Sequence, residues 1–296
     1  YHDGVNFDQV DGVTWDGAQS GRVGATAGSA MGIIPNPTGT LYSTFRDIRN
    51  RSGQVVAQPN SGGKEFGNWA DDGAHYCQMY GAPNVPINGE PTTLRLVAVG
   101  GGARDVARVG TVYEQTSIRA DACSTAHDRA VVVQSGGQGV GTKQLWAVQL
   151  TTGRIVWTRS YPDGNLIDVH ASRDGQFVAE VTASGVSSTT VIYNAAGGVA
   201  GRMTGAVQGF SWDGKFAVVA QYGARPSVIE WSSGRVVWTA PAGTMYTGSL
   251  PEPGGARIAI ELQTAEHPQT SGFPTVDVYA ISPDGSAVQI LSNVSL

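Results

Sequence analysis

Leu145-Trp146-Ala147-Val148-Gln149-Leu150-Thr151-Thr152-Gly153-Arg154-Ile155-Val156-Trp157-Thr158 and Val228-Ile229-Glu230-Trp231-Ser232-Ser233-Gly234-Arg235-Val236-Val237-Trp238-Thr239 are two copies of one pattern. Each is an alternating strand, a short polar turn ending in glycine, and a second apolar strand, which is the signature of a β-hairpin. Weaker copies recur at residues 49–56, 192–199 and 278–288, and residues 94–109 hold one more around Gly100-Gly101-Gly102.

A second kind of hairpin sits between these. Gly209-Phe210-Ser211-Trp212-Asp213-Gly214-Lys215-Phe216-Ala217-Val218-Val219 matches Val169-His170-Ala171-Ser172-Arg173-Asp174-Gly175-Gln176-Phe177-Val178-Ala179. Residues 68–76 match more loosely, and 34–42, 122–133 and 249–260 fit with altered turns. Asp-Gly at the turn is expected, because the turn needs a positive φ that glycine adopts without steric cost.

The two hairpins alternate, so one repeat is four strands long. The Asp-Gly turns at Asp174 and Asp213 are 39 residues apart, inside the range of a propeller blade. On these motifs the sequence resembles bacterial β-propellers of the WD40-like and quinoprotein-like (PQQ-like) repeat families. The Thr152-Gly153-Arg154-Ile155-Val156-Trp157 and Ser233-Gly234-Arg235-Val236-Val237-Trp238 pieces look like the outer element of the quinoprotein-like repeat. The Ser-x-Asp-Gly-x-Phe pieces look like the inner hairpin of WD40-like repeats. The resemblance implies an all-β propeller of four-stranded antiparallel blades and no particular activity. It carries no quinone site across, since the chain has no vicinal Cys-Cys pair.

One propeller domain over 1–296 is expected, with six full blades in 28–296. Residues 12–24 read as an outer hairpin lacking its inner partner, and residues 5–10 add a further strand. A seven-bladed ring, its last blade completed by strands within 1–27 or by residues upstream, is the first expectation. A six-bladed ring with an N-terminal appendage is the alternative.

Composition agrees with an all-β chain. Glycine supplies 41 of 296 residues, about twice the usual share of ~7%. Charged residues are 15% against roughly 25%, which disfavours helices built from Glu, Lys and Arg. The glycines keep no three-residue period, which excludes collagen. A hydrophobic content of 41% and a net charge of -5 argue against disorder. Arginine outnumbers lysine 16 to 3, a bias that fits a high-GC bacterial genome. With no cluster of Lys or Arg, a nucleic-acid partner is not expected. No apolar run approaches the roughly 18 residues of a membrane span. The start at Tyr1, without an initiator Met or signal peptide, fits a mature or excised part of a longer product.

Most candidate sites reduce to the repeat. Trp15, Trp146, Trp157, Trp231 and Trp238 recur with the blades and read as packing between them. Gly209-Phe210-Ser211-Trp212-Asp213 begins like a nucleophile elbow but ends in Asp and sits in a hairpin. Gly136-Gly137-Gln138-Gly139-Val140-Gly141-Thr142-Lys143 lacks the Gly-Lys-Ser/Thr order of a phosphate loop. His2, His75, His127, His170 and His267 show no metal-ligand spacing, although a ring formed by His75, His127 and His170 around the channel is conceivable. No catalytic constellation, metal or cofactor is therefore expected. Cys77 and Cys123 fall at similar places in neighbouring repeats, on adjacent inner strands. They read as a disulfide, implying an oxidising compartment, with a free buried pair as the alternative.

Specificity on rigid scaffolds usually resides in loops, and two irregular stretches stand out, residues 81–91 and 264–274. Both fall between the second and third strands of a blade, on the face shared with the blade-to-blade connections. Arg46, Asp47, Arg104, Arg108, Arg159, Tyr161, Tyr222, Arg225 and Tyr246 are expected near that face, with Glu266 and His267 in the second stretch. Arg and Tyr are residue types that carry interface energy. The expectation is a non-catalytic, extracytoplasmic, secreted or membrane-anchored propeller binding a protein or cell-envelope partner through this face. The rival is a propeller enzyme of lyase, lactonase or glycosidase type, gathering Asp47, Asp105, Asp163, Asp168, His170 and Glu266 at the central channel. A structural subunit of a filament or coat is a third reading.

Overall fold

The structure is a computed structural model that describes residues 9–18, 20–25, 34–43, 47–58, 67–81, 88–113, 117–136, 142–161, 167–184, 186–221, 223–264 and 275–295. Six antiparallel sheets of four strands follow one another along the chain. They span residues 34–57, 68–113, 117–160, 167–204, 206–239 and 244–295, numbered here as blades 1 to 6. Every sheet is built from four consecutive strands paired in chain order. The first strand of each blade faces the axis and the fourth forms its outer edge, so the chain is a β-propeller of six four-stranded blades.

This corrects the expectation of seven blades. Residues 9–25 form a two-stranded sheet of their own, Gln9–Val13 against Ser20–Ala25. The hairpin has the polar turn of an outer blade hairpin, which is why it reads as one. Among the described residues it acquires no inner strands, so it adds no wall to the axis. Trp15 at its tip packs with Ile290 and Leu291 in the outer strand of blade 6, and its carbonyl accepts from Arg257 Nη1 at 3.2 Å.

The core lies in the seams between blades. Buried strands alternate their side chains between two neighbours, as a period of two requires. Val131 and Val133 of blade 3 pack toward blade 4, while Ala130 and Val132 pack toward blade 2. Ala217 and Val219 likewise join the blade 4–5 seam, and Phe216 and Val218 the blade 5–6 seam. Burial on both faces explains why such strands read as unbroken apolar runs.

The Ser-x-Asp-Gly signature has a local cause. Ser172 Oγ donates to Asp174 Oδ1 at 2.6 Å and accepts from Phe177 N at 3.0 Å. Ser211 repeats this with Asp213 (2.8 Å) and Phe216 N (3.0 Å). Gly175 and Gly214 both sit at φ 70°, the left-handed region glycine tolerates. Ser211 is fully buried, so it is a turn residue and not a nucleophile.

The tryptophans pack as the repeat implies. Trp157 gives its N–H to the Ala195 carbonyl of blade 4 at 3.0 Å, and Trp231 meets Phe177 of blade 4 edge-on at 5.2 Å. Trp238 faces Tyr279 of blade 6 at 6.2 Å. Cys77, on the second strand of blade 2, is bonded to Cys123, on the first strand of blade 3, with Cα atoms 5.8 Å apart.

Candidate functional site

The two ends of the propeller differ in kind. Turns within hairpins close one end, while the connections inside and between blades gather at the other. On the loop-bearing end, Asp47 is buried and pairs with Arg49 at 2.8 Å. Arg159 bonds Glu180 of blade 4 at 3.1 Å and lies 4.2 Å above the Tyr193 ring. Tyr161 is 8% exposed and belongs to the blade 3–4 core, so it serves packing. Arg225 is exposed and donates to the Ala240 carbonyl at 2.6 Å. Tyr246 is half-buried, with its hydroxyl 3.0 Å from Ser249 Oγ.

Two expected members lie elsewhere. Arg104 follows the 100–102 turn and donates to the Leu150 carbonyl at 2.8 Å, at the opposite end. Arg108 is exposed on the outer edge of blade 2. Both were misplaced because the third strand already begins at Asn88 and the last two strands of blade 2 are 11 residues each. Arg46, Tyr222, Asp163, Glu266 and His267 lie outside the described residues, as do 82–87, 137–141 and 265–274.

The axis itself carries a charged group that the loop-based reading missed in part. Arg119 and Asp121 of blade 3 pair at 3.0 Å. Arg119 also reaches the Val169 carbonyl of blade 4 at 3.2 Å. Asp121 accepts from Ala171 N at 2.8 Å, and its own carbonyl accepts from Asn68 of blade 2 at 3.0 Å. Asp168 and His170, on the first strand of blade 4, stand 3.2 Å apart. Asp121 above all holds the Arg119 guanidinium above its ordinary value. Burial would raise the Asp168 carboxyl, but His170 and Arg119 outweigh it and set it below the usual range.

Backbone irregularity supports this cluster. The axial strands of blades 3, 5 and 6 each shift register by one residue, at Asp121, Gln208 and Thr247 respectively. A β-bulge re-aims a side chain and recurs beside functional sites. All three extra residues are polar. In blade 6, Glu261 stands opposite Gly248 on the neighbouring strand, and burial pushes its carboxyl above the usual range.

The acids and histidines expected to meet at the channel do so only in part. Asp168 and His170 lie at the axis, whereas Asp47 is tied to Arg49 and Asp105 to Arg95 on blade 2. His75 is held by Asp72 at 2.6 Å and His127 by Ser124 at 3.2 Å, both at the turn end. Among the described residues no group of three His, Cys, Asp or Glu is placed to hold a metal ion, and no helix is long and apolar enough to cross a membrane.

At the turn end, side chains from five blades narrow the axis. A cavity of about 30 Å3 remains, lined from five blades by Ile34, Pro35, Asn68, Trp69, Arg173, Trp212 and Pro251 among others. A wider groove of about 530 Å3 lies away from the axis, between the outer strand of blade 1 and blade 2, beside Val56, Tyr80 and Arg95.

Solved structures resemble the chain in its general class of architecture, the β-propeller. The likeness is one of fold. An oligogalacturonate lyase in complex with manganese aligns at 12% identity and a TM-score of 0.58, over 91% of this chain and 80% of that one. The Cps50 (Swd1) β-propeller domain of Myceliophteria thermophila aligns at 11% identity and 0.51, over 86% and 93%. The C-terminal WD40 domain of Sif2 aligns at 11% and 0.50, over 88% and 71%. No protein-family model matches the sequence, and no curated protein does.

Proposed function

We propose that the protein is a binding propeller that takes a protein or cell-envelope partner on its loop-bearing end, centred on the axial charged cluster. The observation that carries this reading is the set of bulges at Asp121, Gln208 and Thr247, which add polar residues to the axial strands of blades 3, 5 and 6, the first of them paired with Arg119. The Cys77–Cys123 disulfide supports residence outside the cytoplasm, because such bonds persist in oxidising compartments.

The test is capture of a partner from envelope extracts by the immobilised protein, followed by affinity measurement with the isolated partner. Replacing Arg119 by Ala, or shortening residues 81–91 or 264–274, is expected to weaken binding at least tenfold. Unchanged affinity in all three variants would sink the proposal.

A second reading is favoured by the Asp168–His170 pair alone. A carboxylate and an imidazole 3.2 Å apart, next to a fixed guanidinium, form a general base beside an anion-stabilising group. Turnover of any acidic glycan or lactone that disappears in both Asp168→Asn and His170→Ala would favour an enzyme over a binder.

A further inference from the structure

One outer strand breaks the repeat. Trp157 and Trp238 stand at the same place in blades 3 and 5, opposite Ala147 and Val228 and beside a register shift. From there each indole crosses to the next blade, Trp157 to Tyr193 at 6.3 Å and Trp238 to Tyr279 at 6.2 Å. Blade 4 has Gly201 at that place, and Trp231 of blade 5 lies over it. Blade 1 has Ala57, opposite Ile48 and beside the same shift. Its stretch Ser52-Gly53-Gln54-Val55-Val56-Ala57 matches Ser233-Gly234-Arg235-Val236-Val237-Trp238 everywhere except at Gln54 and Ala57.

The groove of about 530 Å3 between blades 1 and 2 opens at this position, with Ala57 in its wall. A tryptophan buries about 150–250 Å2, so an alanine in its place leaves room for a ring. The facing residues differ as well. Counted back from the turn that closes each third strand, Val97 matches Tyr193 and Arg95 matches Tyr279, and both line the groove. Ala98, Gly100 and Ala103 continue the wall, and nothing stands within 4 Å of a Cβ built on Gly100. The volume falls in the range of small-molecule sites, roughly 300–1,000 Å3.

Arg95 supplies a polar end. Its Nε donates to Asp105 Oδ1 at 2.7 Å, and its guanidinium lies 3.8 Å from the centre of the Tyr80 ring. These two contacts fix the guanidinium plane. Among the described residues Asp105 is its one acceptor, which leaves the edge formed by Nη1 and Nη2 open. That edge matches both oxygens of a carboxylate, the fork geometry guanidinium favours. Asp105 is 62% exposed, so water screens its charge.

We propose that the groove binds a free planar aromatic acid. Its ring takes the place that Trp157 and Trp238 fill in their own seams, and its carboxylate pairs with Arg95. The site lies away from the axis and is independent of the partner face.

The test is calorimetry and ligand-observed NMR on the intact protein, with indole-3-acetate as the probe. Saturable binding is expected, with nuclear Overhauser contacts from the probe ring to the Val56 and Val97 methyls. Indole and acetate offered separately should each bind about tenfold more weakly or worse. Arg95→Gln should weaken indole-3-acetate by about tenfold and leave indole unchanged. Ala57→Trp should abolish binding, because the protein's own indole then fills the groove. If Ala57→Trp does not fold, Arg95→Gln and the methyl contacts carry the test. Absence of saturable binding would overturn the proposal. So would binding that survives Ala57→Trp, or an Arg95→Gln variant that holds indole-3-acetate as tightly as the parent.

Discussion

Cys77 and Cys123 join two blades at the point where the second strand of one meets the axial strand of the next, with Cα atoms 5.8 Å apart. Both are fully buried in the blade 2–3 seam, among Met79, Leu94, Val132 and Trp146. The bond closes a loop of 46 residues, for which chain entropy gives about 4 kcal/mol. The Cys77→Ala/Cys123→Ala variant is expected to lose about 3–4 kcal/mol in denaturant melts. An unchanged midpoint would show that seam packing alone fixes the two blades.

Gly153 should tolerate no side chain. It sits at φ 71°, and a Cβ there would overlap the Val106 carbonyl oxygen of blade 2. That oxygen is backbone, at the bulge between Asp105 and Ala107, so the chain itself would have to shift. Gly153→Ala is expected to cost at least ~2 kcal/mol. Gly234 occupies the matching turn of blade 5 at φ 74° with open space around it. Gly234→Ala should therefore cost clearly less, by the backbone strain alone, and equal losses at the two positions would refute the packing argument.

Asp71 links the turns of blades 2 and 3 and should make the fold acid-sensitive. It accepts from Ser124 Oγ at 2.6 Å and from Thr125 N at 2.8 Å and Oγ1 at 2.9 Å. Burial would raise its carboxyl, but these donors outweigh it and hold it below the usual range. A depressed folded pKa contributes stability that is complete above the unfolded value of about 3.9. That contribution fades as pH falls from there through the folded value. Urea midpoints at pH 6 and pH 3 should differ less in Asp71→Asn than in the parent protein, and an identical difference would exclude the residue from the acid transition.

The N-terminal hairpin should be held by one side chain. Trp15 is half-buried on Ile290 and Leu291, with Arg257 5.6 Å from its ring. Trp15→Ala is expected to cost about 1–2 kcal/mol and to expose residues 9–25 to protease before any blade is cut. Simultaneous cleavage throughout the chain would mean that the hairpin and the ring unfold together.

The fold was legible where a residue type answers a local demand. Ser211, Asp213 and Gly214 announce their turn because each makes a bond or a dihedral that few others can. Cys77 and Cys123 were also legible, since equivalent repeat positions fix which strands face each other. The number of blades was not, because residues 12–24 carry the local marks of an outer hairpin and only long-range packing shows that inner strands are missing. In the site, Asp168 and His170 were found by chemistry, but Arg119 and Asp121 were missed. A bulge at Asp121 shifts the strand by one residue, and alternation from either side then assigns the wrong face. Tyr161 and Arg104 erred for a related reason, since an end-of-strand position does not reveal whether a side chain turns into the seam.

Because every blade is made of four consecutive strands, each can assemble from sequence already adjacent to it, and most pairings close short loops. The N-terminal hairpin is the exception. Its bond from Arg257 to Trp15 spans 242 residues, so the hairpin must wait for the last blade before it finds its place. Folding in the order of synthesis would thus proceed blade by blade and end with a latch, and the slowest step would belong to the hairpin of residues 9–25.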